Sequence, residues 1–288
     1  MPDDSRHRLA PDPRPGHSTE SDAAPIRLRP LAAVEEYLAC VALQIETWGE
    51  QSADIVPASV MQVASRIGGL AVGAFAEDGS LMGFVFGLTG LRDGELAHWS
   101  HMLAVQRDAR GSGIGRRLKE YQRAELARRG IGQLYWTFDP LQARNAHLNL
   151  NRLGVRVLEY VVNMYGSSAS PLHHGLATDR LIVWCSTAAP PVEPTSSSMP
   201  AGPLPILTPF PRPGDVLHGE TATAAAVLIE VPGDLEEVAS RSPAAAAEWR
   251  AATRKHFQWA LRHGFAVTGL RRDPVATRAF YVVAREST

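Results

Sequence analysis

The segment from Val105 to Arg116 combines glycine spacing and positive charge in a way that suits anion binding. Gly111, Gly113 and Gly115 stand at alternate positions, after an apolar run and directly before an amphipathic helical pattern. Glycine lets the backbone approach a ligand closely, and the amides at a helix start attract phosphate groups together with the positive end of the helix dipole. The segment therefore predicts a site for a diphosphate or another anion.

Two common phosphate-binding motifs fit this loop poorly. A Walker loop ends in Gly-Lys-Ser/Thr, whereas this loop continues as Gly115-Arg116-Arg117. A dinucleotide fingerprint needs G-x-G-x-x-G in a tight strand-to-helix turn, with an acidic residue about 20 positions later. Here position 116 is arginine, and Asp139 follows at a greater distance. Nicotinamide binding stays a weaker alternative. A second alternative is that the loop binds no ligand and serves packing alone.

Composition limits the class of protein. The 288 residues carry a formal net charge of −1, with 45% hydrophobic and 20% charged residues. This balance is typical of a globular protein and argues against a chain-wide electrostatic grip on nucleic acid or on a membrane. Cys40 and Cys185 are the only cysteines, so no disulfide framework is expected. No apolar run approaches the ~20 residues of a membrane helix, and the polar N-terminus lacks a signal-peptide core. We expect a cytoplasmic protein.

Hydrophobic periodicity predicts an α/β chain in four segments. These are a disordered tail over 1–25, a first domain over 26–186, a Pro/Ser-rich linker over 187–215 and a smaller α+β lobe over 216–288. In the first domain the predicted order is strand, two helices, strand hairpin, long strand, glycine loop, helix, strand, helix and strand. In the lobe, Ser242-Pro243 predicts the start of a helix that ends near Gly264, with strands on both sides.

The stretch Arg110-Gly111-Ser112-Gly113-Ile114-Gly115 resembles the R-x-x-G-x-G/A motif of the GNAT superfamily of acyl-CoA-dependent N-acyltransferases. The segment from Asn145 to Val155, which ends Arg152-Leu153-Gly154-Val155, is similar to a second motif of that family. The resemblance covers about residues 26–186. A more specific resemblance, to a bacterial subgroup of the family with a C-terminal extension, rests on the segments 100–103, 139–141 and 145–147. It implies a mixed, mainly antiparallel central sheet flanked by helices.

The resemblance also implies a site for acetyl-CoA or another acyl-CoA as co-substrate. The diphosphate would lie on the loop amides, and the pantetheine arm would run beside the long strand, in a gap between it and the strand over 133–138. A backbone N–H near Leu103 or Ala104 would stabilise the developing oxyanion. The residues expected to bind the co-substrate are Leu103, Ala104, Val105, Arg110, Gly111, Ser112, Gly113, Ile114, Gly115, Arg116 and Asn145.

His101 and Asp139 are the candidate catalytic residues. Transfer to an amine requires removal of a proton, and a histidine with an ordinary pKa near 6.5 suits that task. His101 stands two residues before Leu103, so strand alternation predicts that both side chains share one face. A core histidine hydrogen-bonded across the sheet is the alternative. Asp139 ends a strand, where it could act as a base, anchor the amine or cap the following turn.

One position departs from the family pattern. GNAT enzymes often place a tyrosine in the helix after this strand to protonate the leaving thiolate, and the alignment puts Leu150 there. Tyr160 and Tyr165 follow nearby, although a packing role is more common for tyrosines beside a sheet. A thiol with a pKa of about 8.5 leaves tolerably without assistance, so the missing tyrosine does not exclude catalysis.

Several other polar residues are interpreted first as solvent-exposed surface residues. Arg144 and Arg152 could hold a substrate carboxylate, while Arg250 and Arg254 could face an acidic ligand from a helix. The adjacent His173 and His174 are better explained by a surface loop than by a metal, and no metal is expected.

The leading hypothesis is an N-acyltransferase. Acetyl is the default group and succinyl the alternative, transferred directly through a tetrahedral intermediate to a small-molecule amine such as an amino acid. The alternative from another class is a non-catalytic CoA-binding or regulatory module. The expected partners are the amine and a second copy of the chain in a homodimer.

Overall fold

A computed structural model describes residues 26–50, 52, 54–166, 170, 173–188, 204–211, 224–273 and 278–285. The predicted tail over 1–25 and most of the predicted linker lie outside these residues. The strands are β1 (Arg27–Pro30), β2 (Leu70–Phe75), β3 (Leu81–Arg92), β4 (Glu95–Val105), β5 (Gln133–Phe138), β6 (Arg156–Val161), β7 (Arg180–Ser186), β8 (Ile206–Leu207), β9 (Ala226–Pro232), β10 (Phe265–Asp273) and β11 (Arg278–Arg285). The helices are α1 (Val34–Trp48), α2 (Ala58–Arg66), α3 (Ile114–Arg128), α4 (Ala143–His147), α5 (Leu235–Arg241) and α6 (Pro243–Arg262).

The first half of the chain builds a sheet in the order β1-β2-β3-β4-β5-β7-β6. Every neighbouring pair is antiparallel except β4 and β5, which run parallel. The strand-hairpin prediction is confirmed at Gly79, whose positive φ of 85° closes the turn between β2 and β3. The predicted mixed, mainly antiparallel α/β sheet flanked by helices is thus confirmed.

Helices cover this sheet on both faces. On one face, α1 and α2 bury an apolar cluster that includes Phe86, Met102 and Ala104. On the other face, α3 packs through Ile114 and Leu118, with Leu103 and Val105 of β4 against the same cluster. The alternation of a strand sends neighbouring side chains to opposite faces, so β4 contributes to both layers.

The C-terminal lobe forms a second sheet in the order β10-β11-β9-β8, with α5 and α6 packed beside it. The Ser242-Pro243 prediction is confirmed, since the Ser242 hydroxyl accepts a hydrogen bond from the Ala245 amide at 3.2 Å and proline occupies the first turn of α6. Strand β8 lies inside the predicted linker and pairs in parallel with β9. Strand β6 and helix α5 are further elements that the sequence pattern did not reveal.

One apolar core joins the two halves of the chain. Residues of β5, α4, β6 and β7 share it with residues of β9, α5, α6, β10 and β11. At its centre, the Phe257 ring of α6 stacks on Tyr160 of β6 at 5.4 Å, and the Tyr281 hydroxyl of β11 donates to the Pro140 carbonyl at 2.8 Å. The lobe is therefore packed into the first half by side chains that are themselves buried. Within the described residues, no helix is long and apolar enough to span a membrane.

Candidate functional site

Strands β4 and β5 separate along their length and leave a cavity. They pair only from Ala97 to Trp99, opposite Gln133 to Tyr135, although both strands continue further. Beyond Trp99 the β5-facing edge of β4 has no partner strand among the described residues. A cavity of about 520 Å³ opens there. Its wall includes His101, Leu103, Arg110, Lys119, Asp139, Asn145, Tyr165, His173 and Arg180. The gap expected between these strands is therefore present.

A β-bulge places His101. In the ladder between β3 and β4, Phe86 pairs with Met102 while the next residue, Gly87, pairs with Ser100, so His101 is the extra residue. Its ring meets Phe86 edge-to-face at 6.3 Å, on the face that α1 and α2 cover. Leu103 instead packs toward α3 on the opposite face. The prediction that His101 and Leu103 share a face was wrong, because a bulge shifts the strand alternation by one residue.

His101 is exposed to the cavity and stands near the loop between α1 and α2. Desolvation lowers its pKa below the usual value of histidine, and the charge of Asp54 in that loop partly opposes this shift. The imidazole is consequently neutral near neutral pH, as a general base must be. His98 has a different environment, since it is fully buried between Thr89 and Gln122 and burial lowers its pKa to about 3.

The glycine loop forms an uncapped helix start. Gly111 and Gly113 both have φ of +87°, a conformation that favours glycine, and no side chain in the described part of the chain caps the first turn of α3. A Cβ added at either glycine would meet nothing within 4 Å, so the space over the loop is open. Gly115 lies over Leu103 and Val105, at ordinary contact distance for an added Cβ. The loop therefore fits an anionic group approaching the first amides of α3.

The remaining residues expected at the co-substrate site lie on different sides of the cavity. Arg110 is exposed, donates to the Val105 carbonyl at 3.2 Å and lines the cavity. Arg116 pairs with Glu120 one turn along the helix at 2.7 Å, so its charge is partly used there. Asn145 of α4 lines the opposite side, and its side-chain oxygen accepts from Asn149 at 3.0 Å. Ser112 closes its own turn by donating to the Ala109 carbonyl.

Lys119 is a site residue that the sequence analysis missed. It extends from α3 to the point where β4 and β5 separate, donates to the Ser100 hydroxyl at 2.7 Å and lies 4.0 Å over the Trp136 ring. The residue is 8% exposed and has no carboxylate within ion-pair distance among the described residues. Desolvation lowers the pKa of Lys119 to about 7. Such a group can both give and accept a proton near neutral pH.

Asp139 is held by residues from both halves of the chain. Its Oδ1 accepts from the Leu141 amide at 2.9 Å, which caps the turn after β5. Its Oδ2 accepts from Arg250 of α6 at 2.6 Å, and Arg180 of β7 lies 3.9 Å from the same oxygen. The capping role considered for Asp139 is therefore present, and its second oxygen is committed to an ion pair. This geometry favours a positioning role over that of a base.

The arginine pair of α6 does not form a solvated surface. Arg250 is 4% exposed and paired with Asp139, and Arg254 donates two hydrogen bonds to Asp179, at 2.8 and 2.9 Å. The surface role taken as the default for both residues was wrong. Helical spacing showed that they share a face, but the carboxylates that this face meets lie more than 70 positions away in the sequence.

The position expected for a tyrosine acid holds a buried leucine. Leu150 packs into the shared core, within a π-helical segment (Leu148–Arg152) that follows α4. Tyr160 does not replace it, because its hydroxyl donates to Asp179 at 2.6 Å and burial raises its pKa far above the usual value. Tyr165 does line the cavity, with its hydroxyl 3.2 Å from that of Thr137.

His173 lines the cavity. The surface-loop position expected for His173 and His174 was therefore wrong for His173. Its Nε2 lies 2.8 Å from a guanidinium nitrogen of Arg180. No group of three or more His, Cys, Asp or Glu side chains is arranged to hold a metal ion within the described part of the chain.

Comparisons with known proteins find similarity at the level of the fold. No protein-family model and no curated protein sequence matches the chain. Among solved structures, the NatC complex bound to Gag peptide and CoA is 15% identical, covering 56% of this chain and 98% of its own, with a TM-score of 0.46. An aminoglycoside 6'-N-acetyltransferase complexed with coenzyme A is 17% identical, covering 58% and 99%, with a TM-score of 0.42.

An N-acetyltransferase from Staphylococcus aureus Mu50 is 16% identical, covering 57% of this chain and 99% of its own, with a TM-score of 0.46. Similarities at this level leave the activity to be inferred from the chain's own residues. In the described structure the elements follow the order strand, two helices, hairpin, long strand, glycine loop, helix, strand, helix. This order, with the mixed and mainly antiparallel sheet, agrees with the fold that the resemblance of the glycine motif implies.

Proposed function

We propose that this chain is an acyl-CoA-dependent N-acyltransferase of the GNAT superfamily, with a small-molecule amine as acceptor. The observation that carries this proposal is the meeting of two features at one cavity. Within the described residues, an open glycine loop starts α3 without a side-chain cap, and the neighbouring edge of β4 has no partner strand. Arg110 of the loop and Leu103 of β4 line the same cavity as His101. The glycine loop suits a diphosphate. The unpaired edge of β4 offers backbone hydrogen-bonding groups to an extended pantetheine arm.

Each residue then has a defined task. When bound, the co-substrate supplies an acyl group activated as a thioester. The amides from Gly111 to Gly115, with Arg110, hold its diphosphate. A backbone N–H of β4 near Leu103 or Ala104 stabilises the oxyanion. His101 accepts the proton that the amine loses on attack, and the buried ammonium of Lys119 donates a proton to the departing sulfur. Lys119 thereby replaces the tyrosine that position 150 lacks.

Ligand-dependent stability tests the proposal directly. Thermal unfolding is measured with CoA, acetyl-CoA, succinyl-CoA and NAD. A ligand that binds only the folded state at ~100 times its Kd adds about 2.7 kcal/mol to the free energy of unfolding. We expect a rise in Tm with the CoA compounds and none with NAD. A rise with NAD alone would overturn the proposal in favour of a nucleotide site, and no rise with any compound would leave only the packing role of the loop.

A broad amine screen then separates the enzyme from a binding module. Release of free CoA thiol is followed with acetyl-CoA and succinyl-CoA over amino acids, polyamines and amino sugars. Turnover with at least one amine supports the acyltransferase, and the preferred thioester identifies the donor. Tight CoA binding without turnover on any amine would favour the non-catalytic module instead.

A further inference from the structure

We infer that the part of the cavity wall formed by Arg180 and His173, with Arg250 buried behind it against Asp139, binds a carboxylate group carried by a substrate. Arg180 is the first residue of β7 and lines the cavity with His173, while Arg250 reaches Asp139 from α6. The assignment of the carboxylate to a substrate rests on the proposed acyl transfer. Unmatched donors and an excess of positive charge at this wall favour an anionic ligand.

The donors at this wall outnumber the acceptors. Arg180 donates to the Asp179 carbonyl at 2.9 Å and to His173 Nε2 at 2.8 Å. Since a guanidinium only donates, Nε2 must accept and the proton of the neutral ring must be on Nδ1. Desolvation lowers the pKa of His173 and so favours this neutral form. The Nδ1 atom is buried and has no hydrogen-bond partner among the described residues.

Arg250 shows the same imbalance. One of its nitrogens donates to Asp139, while Nε and Nη1 are buried and without partners in the described part of the chain. A buried donor without an acceptor costs about 1–3 kcal/mol, and more where the group is charged. The unmatched atoms of His173 and Arg250 are all donors. The cluster of Arg180, His173 and Arg250 therefore has an excess of donors, and a carboxylate at Arg180 would supply an acceptor with several lone pairs.

The balance of charges around Arg180 also favours an anionic ligand. Three guanidinium groups, those of Arg180, Arg250 and Arg254, meet two carboxylates, those of Asp139 and Asp179. Asp54 approaches from the loop between α1 and α2, but none of its oxygens lies within ion-pair distance of Arg180 in the described structure. Arg254 is partly exposed and paired with Asp179, whereas the buried Arg180 and Arg250 share the single charge of Asp139. Buried cations are normally paired, so one positive charge is left for a ligand.

The unmatched charge is reachable from the cavity. Arg180 is 8% exposed and lies over the Tyr165 ring at 5.2 Å, and both residues line the cavity with His173. Asp54 and His101 stand across the same cavity. A substrate with its carboxylate at Arg180 could therefore place an amine near His101. The carboxylate could equally be the far end of the acyl group, as in a succinyl donor.

Binding of carboxylates without turnover is the first test. Thermal shift and calorimetry compare acetate, succinate and the common L-amino acids with the corresponding carboxamides, for the wild type and Arg180→Met. We expect the carboxylates to bind at least ~10-fold more tightly than their amides, and Arg180→Met to remove the difference. Arg66→Met is the matched control, because Arg66 of α2 is exposed and does not line the cavity. Equal binding of acids and amides by the wild type would overturn the inference.

Kinetics then distinguish the two sources of the carboxylate. If the amine carries it, an L-amino acid exceeds its amide in kcat/KM by about 100-fold with acetyl-CoA, and Arg180→Met lowers the rate only for the acid. If the acyl group carries it, succinyl-CoA exceeds butyryl-CoA by a similar factor for an amine without a carboxylate. Equal kcat/KM within both pairs contradicts the inference while leaving the acyltransferase intact.

A second variant covers the case in which Arg180→Met fails to fold. His173→Ala removes the Nδ1 donor and keeps the guanidinium, and it should weaken carboxylate binding by about 5-fold without affecting the amides. An equal effect on both would contradict the inference. If CoA does not bind but carboxylates do, and Arg180→Met abolishes that binding, the proposed function fails while the carboxylate site stands.

Discussion

Arg250 of α6 and Asp139 at the end of β5 form a buried ion pair of 2.6 Å across the seam between the two halves of the chain. Both side chains are at least nine-tenths buried, and the Asp139 oxygen is shared with Arg180 at 3.9 Å. Helix α6 of the lobe thus contacts the cavity wall through the residue that also caps the turn after β5. The geometry of the cavity depends on the lobe being in place.

Breaking this pair should destabilise the protein strongly. Removing one partner of a buried ion pair leaves an uncompensated charge and typically costs about 3–5 kcal/mol. We expect Arg250→Met and Asp139→Asn each to lower the free energy of unfolding by about that amount, measured by urea denaturation. The double variant should lose less than the sum of the two, since it leaves no isolated carboxylate. Strict additivity would show that the two side chains do not interact in solution.

His101 should control the acidic side of the pH profile. Because desolvation lowers its pKa, the base form is present down to a pH below the ordinary midpoint of histidine. The expected kcat falls only below that pH, and His101→Gln lowers kcat by about 100-fold or more and removes this limb. His147→Gln, on α4 outside the cavity, is the control. Persistence of the acidic limb in His101→Gln would exclude His101 as the base.

Lys119 should control the alkaline side. Its pKa is lowered to about 7, so its ammonium form, the proton donor, is lost as the pH rises above that value. We expect kcat of the wild type to fall above pH 7 and the profile of Lys119→Met to be lower and flat there. Lys255→Met, on the exposed face of α6, is the control. A wild-type profile that keeps rising to pH 9 would contradict a donor role.

The same lysine should be costly for stability. Its pKa is lower in the folded than in the unfolded chain, so between pH 7 and about 10.4 the unfolded chain binds more protons and stability rises with pH. Lys119→Met removes this cost. We expect its Tm to exceed that of the wild type by at least ~2 °C at pH 6, and the advantage to shrink by pH 9.5. A lower Tm of the variant at pH 6 would show that the ammonium is stabilised by a partner.

Removing the C-terminal lobe should abolish cooperative folding. The core that contains Leu181 and Val183 of β7 is shared with Val227, Phe257 and Tyr281 of the lobe, so truncation after residue 186 exposes it. We expect the fragment 26–186 to aggregate or to unfold without a sharp transition in calorimetry. Deletion of residues 1–25, which the sequence predicts to be a tail, serves as the control. A sharp transition of the fragment would contradict a shared core.

The fold could be predicted because its decisive features are local. Gly79 closes the β2–β3 turn, Ser242 and Pro243 start α6, and Gly111 and Gly113 open α3, each within a few residues. Between these turns and helix starts, hydrophobic periodicity distinguished helices from strands. Short elements such as β8 and α5 were missed, because a few residues give no reliable period.

The site could be predicted only in part, because its chemistry depends on distant partners. The bulge that turns His101 away from Leu103 is a property of the pairing with β3 and leaves no trace in the sequence of β4 alone. The partner of Arg250 lies 111 positions earlier, and the side chain that Lys119 contacts lies 19 positions earlier. Arg250 was therefore interpreted as helix-surface charge, and Lys119 was not identified as a site residue.

The pairing of Arg250 with Asp139 and the hydroxyl of Tyr281 on Pro140 also limit how this architecture can diversify. Because these contacts are buried and specific to their partners, the lobe cannot be replaced by that of a related protein without changes in the first half of the chain. Changes in α6 or β11 must be accompanied by changes in the turn after β5, and that turn borders the cavity. Substitutions in the lobe are therefore expected to alter the cavity wall as well, so variants at the contacts between the two halves are a suitable library for changing what the cavity binds.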